Sequence, residues 1–163
     1  MALILRNGGS QSPDRWLRDP RNNQASVTID QKLYSEIGKG FLVLIGICDE
    51  DTKETADKMV RKLIGMRIFS DENGKTNLAL KDVDGQLLLV SQFTLYADCK
   101  KGNRPSFVKA GSPQHANELY EYIIDACKKE VPVVKTGVFG AEMEVALIND
   151  GPFTIILDSK DLA

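Results

Sequence analysis

The segment QLLLVSQFTLY, from Gln86 to Tyr96, decides the fold because it joins an apolar strand to a polar motif. Its apolar run through Val90 is typical of a buried strand, and β-favouring residues predict that the strand continues to Tyr96. Ser91, Gln92 and Thr94 introduce polar groups into its second half. Buried hydroxyl and amide groups are costly without partners. These residues therefore either line a site at the strand end or lie at a sheet edge, where polarity is free.

Outward from this segment, the apolar pattern predicts two helices and about seven to nine strands. One helix opens at Asp49 to Thr52, and the other runs roughly from Pro113 to Lys129. The other predicted strands are Met1 to Arg6, Ala25 to Asp30, Lys32 to Ile37, Phe41 to Cys48, Met66 to Phe69, Met143 to Leu147 and Phe153 to Leu157. We therefore predict a single α+β domain over residues 1–163, with a mainly antiparallel sheet that curls or closes into a barrel.

Length and charge narrow the function. The chain has 163 residues, with 21 basic and 23 acidic side chains and a net charge of −2. That balance excludes a general nucleic-acid coat but allows a local basic patch. The strongest apolar run, Phe41 to Cys48, is too short to span a bilayer, and Met1 to Arg6 lacks the features of a signal peptide. We expect a soluble, cytoplasmic protein without a membrane partner.

Cysteine and histidine usage argues against several enzyme classes. Cys48, Cys99 and Cys127 are widely spaced and form no CxxC pair, so we expect reduced structural thiols. His115 is the single histidine, and its place after a Ser-Pro helix start favours a solvated first-turn residue. The sequence has no GxSxG, P-loop or GxGxxG motif. We therefore expect no metal, no cofactor and no conventional side-chain nucleophile.

A second motif is Asn149-Asp150-Gly151-Pro152-Phe153-Thr154. By composition it is turn chemistry, although an X-Pro bond can be cis and a glycine before proline relaxes the restriction on its own backbone. Such a glycine can aim its carbonyl where other residues could not. Residues 7–24 are mostly polar and rich in Gly, Pro and Asn, which predicts an unusually long loop insertion near the N-terminus.

Together these motifs resemble those of the D-aminoacyl-tRNA deacylases, which remove D-amino acids from charged tRNA. The resemblance covers Ala25 to Ser159 and rests on several segments in order. These are Arg67 to Phe69, Ser91 to Tyr96, Lys101 to Phe107, Gly137 to Gly140 and Asn149 to Thr154. It implies hydrolysis of the ester between a D-amino acid and tRNA, and acceptance of glycine mischarged on tRNA-Ala.

The resemblance also implies how chirality is read. The family is a homodimer in which a cis Gly-Pro motif, here Gly151-Pro152, enters the pocket of the other subunit. Its two carbonyl oxygens crowd the α-carbon of the bound amino acid and exclude L-side chains. Phe139 and Met143 match positions that border the amino-acid pocket. From composition alone, these two side chains would be predicted to lie in the hydrophobic core.

Ser91, Gln92, Phe93 and Thr94 would line the pocket for the terminal adenosine and the ester. The backbone N–H of Phe93 or Thr94 would donate to the oxyanion. Two roles stay open for the Thr94 hydroxyl. It could be a nucleophile, although no base is visible for it. Alternatively it shapes the pocket, while the neighbouring ribose hydroxyl of the tRNA assists the reaction.

Lys100, Lys101 and Arg104 closely follow the first motif and could grip tRNA phosphates. The alternative is an ordinary solvated loop. The family's arginine, which braces the Gly-Pro motif, has two candidates. Arg6 follows an apolar strand. Arg21, in contrast, lies at the distance expected in the family from the segment Ala25-Ser26-Val27. Pro20 disfavours a central strand around Arg21, so we favour Arg6.

Two other functions stay open on the same fold. One is a non-catalytic tRNA- or DNA-binding module. Relatives linked to DNA binding carry an extra tail, which we expect to be absent because the sequence ends at Ala163. The other is an editing relative with a trans Gly-Pro peptide that accepts some L-substrates. Such relatives differ in the first motif, so the intact Ser91 to Thr94 segment favours the D-specific type.

Overall fold

The computed structural model describes residues 1–8, 25–150 and 153–162. In these ranges the chain forms ten strands and two α-helices. The strands are β1 (Ala2–Gly8), β2 (Ala25–Ile29), β3 (Lys32–Ile37), β4 (Gly40–Gly46), β5 (Phe69–Ser70), β6 (Thr76–Leu78), β7 (Gln86–Ser91), β8 (Val134–Thr136), β9 (Glu144–Leu147) and β10 (Thr154–Asp158). The helices are α1 (Lys53–Gly65) and α2 (Pro113–Glu130), and short 3₁₀ turns cover Leu80–Val83, Phe93–Tyr96 and Ser159–Asp161.

The strands form three sheets. A five-stranded sheet has the order β10-β1-β4-β7-β8, a three-stranded sheet has the order β3-β2-β9, and β5 pairs with β6. The β4–β7 and β7–β8 pairs are parallel, and the other five pairs are antiparallel. The predicted α+β class, with two helices and a mainly antiparallel arrangement, is confirmed. The described strands form open sheets and do not close into a barrel.

Strand β7 explains the layering of the domain. Leu87 and Leu89 pack into the cluster that contains the apolar faces of both helices. Leu88 and Val90 point the other way, into the cluster formed with the three-stranded sheet. Because successive side chains of a strand alternate between faces, a strand covered on both sides must be continuously apolar. The apolar run of the sequence therefore marks the central strand between two layers.

The two helices begin close to where the sequence predicts. Thr52 caps α1: its hydroxyl accepts from the N–H of Thr55 at 3.3 Å, and its own N–H donates to the Thr55 hydroxyl at 3.4 Å. This reciprocal pair satisfies two N–H groups that have no partner within the helix. Helix α2 begins with Pro113, but the Ser112 side chain makes no capping hydrogen bond within the described chain. The buried face of α2 includes all five predicted residues, Ala116, Leu119, Tyr120, Ile123 and Cys127.

The long strand predicted over Gln86 to Tyr96 is wrong in its second half. Strand β7 ends at Ser91, and the chain then turns into 3₁₀ geometry. The turn is closed by hydrogen bonds from Leu95 N to Gln92 O at 3.2 Å and from Ala97 N to Thr94 O at 3.0 Å. Ser91 is therefore the last residue of the strand, while Gln92 and Thr94 lie in the turn beyond it.

Other boundaries shift by a few residues. The strand predicted over Met66 to Phe69 is instead the two-residue β5, and β1 continues through Gly8. Asn7, predicted to begin the long loop, pairs with Phe41 of β4. The rest of that predicted insertion, residues 9–24, lies outside the described residues. Within the described ranges no helix has the length and apolar character needed to cross a bilayer.

Candidate active site

A cavity of about 690 Å³ opens where β4 and β7 end. Because these strands are parallel, their carboxyl ends meet at the same edge of the sheet, a common position for ligand sites. The opposite walls are the first turn of α2 and the segment between β8 and β9. Its lining residues are Ile45, Ile47, Val90, Ser91, Gln92, Phe93, Phe107, Ala110, Gly111, Pro113, Ala116, Phe139, Gly140, Ala141, Glu142, Met143 and Val145.

The cavity brings together five residues that the sequence singled out. Three of them, Ser91, Gln92 and Phe93, come from the end of β7, and the other two come from the β8–β9 segment. The latter are Phe139 and Met143. Contact with a substrate stays a prediction for all five, but they do share one concave surface.

Among the described residues, the turn that follows β7 carries two adjacent backbone N–H groups without acceptors. Gln92 N donates to Ile45 O at 2.7 Å, which ties the motif to the end of β4. The next two N–H groups belong to Phe93 and Thr94, the first residues of the 3₁₀ turn. N–H groups in the first turn of a helix have no partner within it, and the described chain supplies no other acceptor for these two. Phe93 lines the cavity and Thr94 follows it in the turn, so the described residues leave two consecutive donors without an acceptor at this end of β7.

The Thr94 hydroxyl is already engaged. It lies 2.5 Å from Gln92 Nε2, which donates to it, and Thr94 does not line the cavity. The described residues place no carboxylate or imidazole in hydrogen-bonding contact with this hydroxyl. His115 is partly buried rather than fully solvated, and its Nε2 donates to the carbonyl of Asp51 at 3.0 Å. Since activation of a hydroxyl nucleophile needs an adjacent base, the contacts of the described residues do not support Thr94 as a nucleophile.

The mouth of the cavity is aromatic. Phe93 is 55% exposed, and its ring meets that of Phe107 edge to face, with centroids 5.2 Å apart. An exposed aromatic face can stack on a nucleobase, a contact that every base can make. Sequence reasoning included Phe107 in a matching segment but gave it no role. Only its contact with Phe93 across the fold reveals its position.

The β8–β9 wall is closely packed. Met143 Sδ accepts a hydrogen bond from Val138 N at 3.4 Å and covers Gly137, where a Cβ would lie only 2.6 Å from the sulfur. Behind this wall, Phe139 packs against Tyr120, with ring centroids 6.2 Å apart. Burial raises the pKa of Tyr120, so its hydroxyl stays protonated and donates to Leu89 O at 2.8 Å.

Glu142 is the one ionisable side chain among the described residues that line the cavity. Its carboxylate is exposed at the wall of an otherwise uncharged pocket. Sequence reasoning missed it, because one acidic residue in a loop carries no pattern. Sequence reasoning also missed Gly111, because this residue reaches the cavity only through the packing of its loop against the end of β4.

The three cations predicted to grip phosphates lie on an exposed loop and do not line the cavity. Asp98 organises that loop: it accepts from Lys100 N at 3.0 Å and pairs with Lys109 Nζ at 2.9 Å. The Lys109 hydrogen bond, followed by that of the Lys100 backbone, lowers the pKa of Asp98. Within the described chain the side chains of Lys100, Lys101 and Arg104 form no ion pair.

The second motif is only partly described. Gly151 and Pro152, together with Arg21, lie outside the described residues. Arg6 lies in β1 with its Cα opposite Thr154, the last residue of that motif. The favoured bracing arginine is therefore paired with the last residue of the second motif, and its bracing role stays a prediction.

These features define an α+β protein with a pocket at the ends of two parallel strands, bordered in the described chain by a 3₁₀ turn whose first N–H groups are unpaired. Residues 20–158 match the sequence model of a family described as D-Tyr-tRNA(Tyr) deacylase. The chain is also 53% identical over 140 residues to a D-aminoacyl-tRNA deacylase of Clostridium novyi (strain NT), covering 86% of this chain and 94% of that protein. The chain belongs to this deacylase family, which confirms the resemblance and the prediction of a hydrolase.

Two solved structures share the fold. One is that of a c-Myc DNA Unwinding Element Binding Protein, with a TM-score of 0.83 and 35% identity over 97% of this chain and 98% of that chain. The other, a probable eukaryotic D-amino acid tRNA deacylase, has a TM-score of 0.73 over 96% and 97% of the two chains. At 18% identity, the latter supports the fold alone. The family match begins at residue 20, so it includes Arg21 and leaves Arg6 and β1 outside.

Proposed function

We propose that the chain hydrolyses the ester bond of D-aminoacyl-tRNA and releases the free D-amino acid and the tRNA. The observation that carries this proposal, beside family membership, is the pair of consecutive N–H groups of Phe93, which lines the cavity, and of Thr94, which follows it in the turn. Two adjacent donors suit the oxygen that becomes negative when an ester carbonyl is attacked. The relatives' deacylase name supplies the substrate class.

The reaction we propose needs no covalent enzyme intermediate. A water oxygen bonds to the ester carbonyl carbon, the bond from that carbon to the ribose oxygen breaks, and the ribose oxygen takes up a proton. The neighbouring ribose hydroxyl of the terminal adenosine assists this transfer. Positioning and oxyanion stabilisation suffice because an aminoacyl ester is already reactive. The occupied hydroxyl of Thr94 supports this route over nucleophilic attack.

Selectivity, in this proposal, comes from a second copy of the chain. Gly151-Pro152 of one subunit enters the cavity of the other with its peptide bond cis, and its carbonyl oxygens exclude L-side chains. Glycine has no side chain to exclude, so glycyl-tRNA-Ala is also a substrate. Arg6 braces the inserted motif, a role supported by its register opposite Thr154. Phe139 and Met143 border the side chain of the amino acid.

The tRNA itself would contact two regions. The terminal adenosine stacks at the Phe93–Phe107 mouth, supported by the exposure of Phe93. The exposed side chains of Lys100, Lys101 and Arg104 bind acceptor-end phosphates, which makes substrate binding salt-dependent.

The experiment is hydrolysis of D-Tyr-tRNA and L-Tyr-tRNA by the purified protein without added metal. We expect rapid release of the D-amino acid alone. Release of both amino acids would refute the chiral filter, and a monomer in light scattering would refute the cross-subunit pocket.

A second candidate is a nucleic-acid-binding module, which the similarity to a DNA Unwinding Element Binding Protein favours. Binding of uncharged tRNA or duplex DNA by a folded protein that hydrolyses neither ester would support it. That result would refute the deacylase proposal.

A further inference from the structure

A second concave surface lies between the two helices and shares none of its described lining residues with the active-site cavity. This helix groove has a volume of about 670 Å³ and is lined by residues of α1, of α2 and of the 3₁₀ turn Leu80–Val83, together with Arg67. Ala116 of α2 lines the cavity, whereas Lys129 of the same helix lines the helix groove. Since an α-helix rises about 1.5 Å per residue, the two sites lie about 20 Å apart along α2.

Four cationic side chains line the helix groove without acidic partners of their own. All four are exposed, and none of them forms an ion pair within the described chain. They are Arg61, Arg67, Lys81 and Lys129. Unpaired Lys and Arg side chains are the groups that contact the phosphates of nucleic acids.

Three carboxylates line the same groove, those of Asp57, Asp82 and Glu130. Two of them are directed at local partners. Asp57 Oδ1 accepts from the Tyr122 hydroxyl at 2.9 Å, and Asp82 Oδ2 accepts from Ala79 N at 2.8 Å. Because both signs of charge are present, a small anion enclosed in the groove would be repelled as well as attracted. A chain of separate phosphates, in contrast, can contact the cations one at a time.

The Arg67 guanidinium is held in place by neutral acceptors. Its Nε donates to Asn77 O at 2.6 Å, and its Nη2 donates to Asn77 Oδ1. Asn77 is itself fixed, because its Nδ2 donates to Asp71 Oδ2 at 3.3 Å. The N–H groups of a guanidinium lie in one plane, so those that Asn77 leaves free form an oriented fork, the geometry that matches a phosphate. Sequence reasoning included Arg67 in a matching segment but gave it no role.

We propose that the helix groove binds backbone phosphates of the tRNA substrate while the aminoacyl end occupies the cavity about 20 Å away. The inference rests on the hydrolysis proposed above. A nucleic-acid duplex carries roughly one charge per 1.7 Å of its axis, so a stem that leads away from the cavity presents phosphates at this separation. Phosphate contacts position the substrate and carry no sequence information. We therefore expect them to affect binding rather than the chemical step.

The test is a titration of uncharged tRNA, at several salt concentrations, into the wild type, Arg61→Glu/Lys129→Glu and a matched control, Lys62→Glu/Lys128→Glu. Lys62 and Lys128 are the exposed neighbours of the two groove cations on the same helices, and neither lines the helix groove. Both variants change the net charge equally. Lys128 and Lys129 also share the last turn of α2, so the change in their interaction with the helix dipole is matched.

We expect the groove variant to raise the Kd for tRNA at least about tenfold, since each exposed contact contributes about two- to fivefold and the reversed charges repel phosphates. The slope of log Kd against log salt concentration should fall by about two. The control should stay within about threefold of the wild type, because salt screens charges that do not touch the phosphates. Equal losses in the two variants, or wild-type affinity in a folded groove variant, would overturn the proposal.

Arg67 provides a second test. Arg67→Ala should raise the Kd for tRNA about two- to fivefold, whereas Arg67→Lys keeps the charge without the fork and should recover only part of that loss. Inorganic phosphate, titrated at constant ionic strength and followed through the Arg67 Nε–H resonance, distinguishes a free anion from tRNA. Saturation by dilute phosphate together with unchanged tRNA affinity in Arg67→Ala would assign a small-anion site and overturn the proposal.

Kinetics separate the helix groove from the proposed reaction. For D-Tyr-tRNA the groove variant should raise KM, with kcat within about twofold of the wild type. D-tyrosyl-adenosine is too short to reach both sites, so its hydrolysis should be unchanged, and equal losses on both substrates would overturn the groove. If the wild type hydrolyses neither ester while the groove variant binds tRNA more weakly than the control, the proposed function fails and the groove stands. If hydrolysis proceeds and the groove variant binds tRNA normally, the groove fails and the proposed function stands.

Discussion

Replacing Gly137 by alanine should narrow the cavity through Met143. The added Cβ would lie 2.6 Å from Met143 Sδ and 3.7 Å from Val90 Cγ1. Non-bonded carbon contacts are optimal at about 3.5–4.0 Å, so the sulfur must move by roughly 1 Å. Val90 is in ordinary contact on its side, whereas Met143 borders the open cavity. The thioether therefore moves into the space proposed for the amino-acid side chain.

The cost should fall on selectivity more than on stability. Overpacking a core lowers the free energy of unfolding by about 1–3 kcal/mol. We expect a loss near the lower end of that range, because Met143 is flexible and faces a cavity. One methylene-sized change in an apolar pocket is worth about 10–200-fold in specificity. We expect kcat/KM for D-Tyr-tRNA to fall about tenfold, while kcat/KM for glycyl-tRNA, which has no side chain to displace, changes less than about threefold.

The assay compares both substrates by steady-state kinetics and the unfolding free energy by urea titration. Gly65→Ala is the control, because a Cβ there meets nothing within 4 Å, and it should leave both substrates unaffected. Met143→Ala in the Gly137→Ala background removes the displaced sulfur and should restore D-Tyr-tRNA hydrolysis. Equal losses for D-Tyr-tRNA and glycyl-tRNA would refute a steric cause.

Three further changes test the site. Thr94→Ala should retain hydrolysis within about tenfold of wild type, measured as release of D-tyrosine; complete loss in a folded variant that still binds substrate would show that the hydroxyl reacts. Glu142→Gln should lower kcat/KM for D-Tyr-tRNA about two- to fivefold, as for an exposed charge pair with the substrate ammonium, but not for N-acetyl-D-Tyr-tRNA; equal effects on both would exclude that pairing. Burial raises the pKa of Cys127 to about 12, which favours its neutral form in the folded state, so its contribution to stability should be lost as pH rises from about 9 towards 12. Urea titrations of the wild type and Cys127→Ala over this range should diverge, and parallel curves would contradict the assignment.

The sequence predicted those buried elements in which apolar residues recur with a clear helical or strand period. The apolar residues of α2 recur at helical spacing, and all five predicted positions are buried, because a helix of this length must turn one face to the sheet. The Ala25–Ile37 hairpin is confirmed as β2 and β3. Strands as short as β5 and β8 contain too few residues to show alternation, and their existence depends on partners distant in the chain.

The end of β7 shows why the site was harder to predict. Phe93, Thr94 and Tyr96 all favour strands, yet they form a 3₁₀ turn that begins directly after Gln92, the last residue whose N–H donates to β4, at Ile45 O. That bond and the close packing of Gly46 against Leu95 and Tyr96 join segments more than 40 residues apart. The strand propensity of individual residues does not depend on such distant contacts and therefore cannot predict them. The resemblance located the motif, but the donor turn and the Glu142 wall needed the tertiary arrangement.

Strand β1 shows that a segment can occupy a strand position in the sheet without matching the family sequence. Leu3 and Leu5 alternate into the core cluster, while β1 pairs with β10 on one side and with β4 on the other. A short segment with period-two apolar residues meets the physical requirements of that position, even though the family match begins only at residue 20. Arg6 consequently lies opposite Thr154 through register alone. If the bracing role depends on this register, Arg6→Ala weakens chiral selection and Arg21→Ala does not. The reverse result would assign the brace to the residue inside the family match.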